Sequence, residues 1–102
     1  DIILSSLIAQ SRTPGDYVIS SDAFSLPEPY GIMMRKDDPA FKKLADDTMT
    51  KVYKSGEINK IYAKWFTSPV PPKGLNYNVP MSSLLKGVVA NPTDSGDPLA
   101  YK

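Results

Sequence analysis

The sequence predicts an α/β chain whose helices are well specified and whose strands lack partners. Three observations carry that expectation. Two consecutive stretches between Phe41 and Phe66 place apolar residues at helical spacing, two short apolar runs read as strands, and the last third is dense in proline. Two short strands do not make a stable sheet by themselves, because each leaves backbone edges and an apolar face uncovered. The chain therefore reads as incomplete on its own, completed either by strands from polypeptide N-terminal to it or by a second copy that swaps elements with it.

The elements follow in order. Asp1-Ile2-Ile3-Leu4 and Leu7-Ile8-Ala9-Gln10 make a short apolar helix within residues 1–12, broken before Thr13-Pro14-Gly15-Asp16, a turn by composition. Tyr17-Val18-Ile19-Ser20 reads as a short strand, and 21–29 as a loop in which Pro27 and Pro29 hold their predecessors extended. Tyr30-Gly31-Ile32-Met33-Met34 is a second strand, apolar enough to expect cover on both faces. Phe41, Leu44, Ala45, Thr48, Met49, Val52 and Tyr53 then form one stripe at 3.6-residue spacing, opposite Lys42, Lys43, Asp46, Asp47, Lys51 and Lys54. Asp38 suits its N-cap, Pro39 its first position, Asp47 and Lys51 an acid-first i, i+4 pair, and Gly56 the left-handed residue that ends it.

A second helix starts at once, with Ile58, Ile61, Tyr62, Trp65 and Phe66 on one face and a stop at Thr67-Ser68-Pro69. Trp65 and Phe66 share the stripe of the isoleucines, so they read as core packing and not as ligand-stacking groups. Six of the ten prolines fall in 69–102. Pro69-Val70-Pro71-Pro72-Lys73-Gly74 reads as a stiff extended linker, Pro80 to Lys86 as one more short helix, and 91–98 as a turn-rich mobile end.

Composition narrows the function. With 12 basic and 11 acidic residues and no charge block, there is no electrostatic footprint for nucleic acid. No window is apolar over eighteen residues, and the opening residues lack the basic-then-apolar order of a signal peptide. Cysteine and histidine are both absent, which removes disulfides, thiolate metal sites and the commonest general base. No nucleophile elbow, P-loop or zinc-protease motif occurs, so enzyme activity is not expected and no cofactor or metal is implied.

Asp1-Ile2-Ile3-Leu4 through Ser11, Glu28-Pro29-Tyr30-Gly31-Ile32, Arg35 to Phe66, and Trp65-Phe66 with Pro69 and Pro71-Pro72-Lys73-Gly74-Leu75-Asn76 occur in the order found in one family. In that order they resemble the closing segment of the periplasmic amino-acid-binding proteins of ABC importers, within them the glutamate/aspartate-binding group. The resemblance implies the C-terminal part of a two-lobed type II periplasmic-binding-protein fold, with roughly the first 150 residues of a typical member lacking. Residues 1–28 would be the last segment of the second lobe, 29–34 the hinge crossing, 35–66 the helix pair completing the first lobe, and 67–102 a proline-rich tail. It further implies capture of an acidic amino acid between the lobes, delivery to ABC permease subunits, and a periplasmic location.

One ligand contact of the family falls inside the chain. An aspartate matching Asp1 accepts a hydrogen bond from the amino acid's α-ammonium, and a charged amine entering a closing cleft is well served by an anionic partner. Read from the residues alone, Asp1 caps the helix from Ile2; the two roles are compatible. Tyr30, Gly31 and Met34 fall at the hinge, where Tyr30 and Met34 read as packing and not as ligand contacts. Ser5-Ser6 departs from the bulkier residues and glycine usual after the aspartate, and the residues that would grip the ligand's carboxylates lie outside the chain, so the amino acid itself is not read. Two rivals stand beside this reading: a dehydratase or lytic enzyme on the same two-lobed fold, with Asp1 or Glu28 as acid or base, and a homodimerising interaction module.

Overall fold

The computed structural model describes residues 2–23 and 25–101. Four α-helices appear among them: α1 (Ile2–Ala9), α2 (Pro39–Lys54), α3 (Glu57–Phe66) and α4 (Ser83–Ala90), with 3₁₀ turns at Pro14–Asp16 and Pro98–Tyr101. None is long and apolar enough to cross a membrane.

Helix α2 forms where the local signals put it. The Asp38 carboxylate accepts from the Phe41 amide at 2.9 Å, Pro39 opens the helix, and Lys51 and Lys54 lie in its last turn. Gly56 has a φ of 78°, a left-handed conformation that lets the chain leave α2 and enter α3 with almost no loop. The surface pairs differ from the expected one: Asp47 accepts from Lys43 at 2.5 Å, not from Lys51, and Asp46 accepts from Lys42 at 2.6 Å. Each aspartate has a lysine one turn on either side or nearby, and the N-terminal lysine takes it here.

The chain divides into two compact units, one made of 1–24 with 59–81 and the other of 25–58 with 82–102. In the second, α4 packs on α2. Its start is later than Pro80, because the Ser82 hydroxyl accepts from the Leu85 amide at 3.2 Å and so sets the N-cap. Ala45, Met49, Val52 and Tyr53 of α2 and Leu85, Val88 and Val89 of α4 are half-buried, whereas Phe41 and Leu44, on the other flank of the α2 stripe, are 52% and 61% exposed.

In the first unit, Tyr62 and Phe66 of α3 pack with ring centroids 4.5 Å apart and their planes tilted by 42°, and the Lys64 ammonium stands 4.9 Å from the centre of the Trp65 ring. Trp65 is 43% exposed, so of the two expected core aromatics Phe66 is the better covered. The chain after α3 returns to it: the Val79 amide donates to the Phe66 carbonyl at 2.9 Å and the Asn76 side chain to the Thr67 carbonyl at 3.0 Å. Leu75, Tyr77, Val79 and Met81 are half-buried in alternation with exposed neighbours, the period of an extended segment with one covered face.

Three expectations are corrected. Neither Tyr17–Ser20 nor Tyr30–Met34 pairs as a strand, and among the described residues the one β contact is an isolated antiparallel bridge between Val70 and Leu75. A strand exists only with a neighbour to complete its ladder, and nothing in these residues offers one. The second run is also uncovered, with Met33 96% exposed. Pro69–Gly74 does not run straight: the Val70 amide donates to the Leu75 carbonyl, the Gly74 amide donates to the Val70 carbonyl, Gly74 has a φ of 67°, and the Pro71–Pro72 peptide is cis. Proline density alone gave stiffness, but a left-handed glycine behind it reverses the chain.

No described residue is fully buried. Among the large apolar side chains, Val18, Tyr30 and Met33 are left more than nine-tenths exposed.

Candidate functional site

Among the residues singled out in the sequence, Asp1 lies outside the described residues. Tyr30, Gly31 and Met34 come together with other elements of the second unit in a groove of about 620 Å³. Lys42, Ala45, Asp46, Met49 and Tyr53 of α2 line it together with Pro29–Ile32 and Met34 and with Pro92–Gly96 and Tyr101. Met34 is half-buried and Tyr30 is fully exposed. Gly31 has no positive φ and no atom within 4 Å of where a Cβ would stand, so space alone does not call for glycine there.

The charges of this groove are organised around one lysine. The Lys42 ammonium donates at 2.6 Å to Asp46, one turn along α2, and at 2.6 Å to Asp94, 52 residues away. Those two hydrogen bonds hold the Lys42 ammonium protonated well above the ordinary lysine range, and the Lys42 contact holds the Asp94 carboxyl below the ordinary carboxylate range. All three side chains keep substantial exposure, so the cluster orients a loop more than it adds stability. Lys42 and Asp46 stand one helical turn apart, a pairing the sequence reading passed over for Asp47 with Lys51; nothing local in the sequence points from either to Asp94. Among the described residues, no three His, Cys, Asp or Glu side chains gather as a metal site.

The first unit carries a different surface. Leu4, Leu7, Ile8 and Ser11 of the α1 region and Tyr17–Ser20 line an apolar groove of about 420 Å³. Leu7 is 62% and Val18 93% exposed, and the Ser11 hydroxyl is enclosed without a hydrogen-bond partner. The first groove thus combines a charged cluster with apolar side chains, and the second is apolar apart from Ser11, Tyr17 and Ser20.

Comparison with known proteins places the chain in a family. The chain belongs to the bacterial extracellular solute-binding proteins, family 3, whose pattern its residues 4–68 match. Membership carries with it the two-lobed periplasmic-binding fold of that family. Over 94 residues the chain is 52% identical to the L-glutamate/L-aspartate-binding protein of Pseudomonas aeruginosa and 44% identical to the glutamate/aspartate import solute-binding protein of Escherichia coli. The Salmonella typhimurium protein of the same description is 42% identical. Each of these alignments takes in 92% of this chain and 31% of the relative, so the chain spans about a third of the length of the curated relatives it matches. Two of the three are named as solute-binding proteins and the third as an L-glutamate/L-aspartate-binding protein.

Proposed function

We propose that the chain works as the closing third of a periplasmic solute-binding protein that captures glutamate or aspartate between two lobes and delivers it to an ABC permease. The observation that carries this reading is the 52% identity over 92% of the chain to a glutamate/aspartate-binding protein. In it, residues 1–28 finish the second lobe, Pro29–Met34 cross back, 35–66 complete the first lobe, and 67–102 form the tail. Tyr30, Gly31 and Met34 serve the crossing. Asp1 accepts from the α-ammonium of the bound amino acid, a charge-assisted bond that forms fully only when the lobes close around the ligand. Ligand then shifts the open-closed equilibrium by its differential affinity for the two states.

The uncovered faces of α1 and of Phe41–Leu44 fit this reading, because a lobe assembled from distant parts of a chain leaves such faces when only one part is present. The 102-residue chain by itself is expected to give no measurable heat with glutamate in calorimetry. The longer protein that carries it is expected to bind glutamate or aspartate, and Asp1→Asn to weaken that binding roughly tenfold or more. Tight glutamate binding by the 102 residues as a monomer overturns the two-lobe reading. A second copy would cover the same faces; light scattering at several concentrations separates the two, since a monomer throughout removes the homodimer.

A further inference from the structure

Resting on the reading of Pro29–Met34 as the crossing between lobes, we propose that the C-terminal tail is a strap: residues 91–101, tied to α2 by the Lys42–Asp94 ion pair and by α4, wall the groove beside the crossing segment and restrain its movement.

The crossing segment itself is loosely tethered. Among the described residues none of the hydrogen bonds reaches Pro29–Met34, so no ladder or cap fixes its backbone. What stands beside it is the groove, and the tail contributes Pro92–Gly96 and Tyr101 to the same lining. The tail is also braced within itself. Thr93 Oγ1 accepts from the Ser95 amide at 3.2 Å, Ser95 Oγ from the Asp97 amide at 3.1 Å, and Asp97 Oδ1 from the Leu99 amide at 2.9 Å. The Tyr101 hydroxyl donates to the Ser95 carbonyl, closing the segment into a small loop. Two attachments then hold this loop on α2: the Asp94–Lys42 pair, and the packing of α4 on α2 and on the Pro98–Tyr101 turn. A stiff loop pinned at both ends limits the space into which a neighbouring untethered segment can swing. The family pattern matches only 4–68, so the strap is built from residues outside it.

The chain has no cysteine, so spin labels can be placed on Ile32→Cys and Gly96→Cys in the full 102-residue chain. The expected distance distribution between them is narrow, and Asp94→Asn or Lys42→Met widens it about twofold while far-UV circular dichroism stays unchanged. Asp46→Asn keeps the Lys42–Asp94 contact and leaves the width as it was, and Asp94→Glu restores most of it. An unchanged width in both Asp94→Asn and Lys42→Met overturns the strap. In the longer protein, the same two substitutions are expected to change glutamate affinity about two- to fivefold, the scale of an exposed ion pair. Widening with unaltered affinity overturns the restraint on the crossing. Failure of the unsubstituted longer protein to bind any acidic amino acid sinks the proposed function instead, and the label widths still judge the tail.

Discussion

The flank of α2 that meets α4 and the face that α1 shares with Tyr17–Ser20 are equally apolar in sequence and differ in outcome. On the first, Ala45, Met49, Val52 and Tyr53 are half-buried; on the second, Leu7 and Val18 stand 62% and 93% exposed. The difference is supply. Residues 82–101 come back to cover α2, whereas the groove-lining side of α1 keeps Leu4 48% and Leu7 62% exposed. An apolar stripe in this chain is therefore covered by its own residues in some places and left open in others, and the burial pattern separates the two.

The sharpest way to break that contrast is Leu7→Ala measured twice. In the 102-residue chain it is expected to change stability by no more than about 0.5 kcal/mol. In the longer protein, where that face is expected to be covered, the same change is expected to cost about 2 to 5 kcal/mol in chemical denaturation. Equal, small effects in both would mean that the α1 face is never covered. Next in size is Val52→Asp, which sets a charge on the half-buried flank of α2 and is expected to cost about 2 kcal/mol, read as faster amide exchange along Ser83–Ala90. Exchange there that does not change would leave α4 docked by something other than this flank.

Gly56→Ala tests the join between α2 and α3. With φ at 78°, any Cβ is disfavoured, and a loss of about 1 kcal/mol is expected, seen as reduced helicity at both helix ends. The smallest effect concerns pH. The Asp94 carboxyl is held below its ordinary range by Lys42, so its contribution to tail docking is complete above about pH 4 and fades as pH falls through the lowered value. Lys42 is held above its ordinary range and its contribution is lost only in strong base, so docking is expected to be flat from about pH 5 to 10. Amide exchange at Ser95 and Asp97 across that range checks it, and a step near neutrality would assign the docking to another group.

Much of the helical frame was legible because its signals are local. Asp38, Pro39 and Gly56 bracket α2 within two residues of where it begins and ends. What escaped depends on residues far apart. Whether Tyr17–Ser20 and Tyr30–Met34 become strands is decided by neighbours they do not carry with them. The Lys42–Asp94 contact spans 52 positions and has no period to announce it. Asp47 had a lysine at either side in Lys43 and Lys51, and the choice between them belongs to rotamers and not to spacing. The proline-rich stretch misled for a different reason: composition gave stiffness, while the turn was set by Gly74 just past the prolines. Asp1 was reached through family likeness and not through its surroundings.

The return of Val79 to the end of α3 has a practical side. Its amide on the Phe66 carbonyl ties the two stems of residues 67–78 together, so the intervening chain is a closed excursion whose tip holds Lys73 and Gly74. Lengthening a flexible excursion is inexpensive, about 0.6 kcal/mol for each doubling. A fluorescent reporter or an affinity tag spliced between Lys73 and Gly74 is thus expected to leave both stems joined, making this the natural graft point for turning the protein into a sensor.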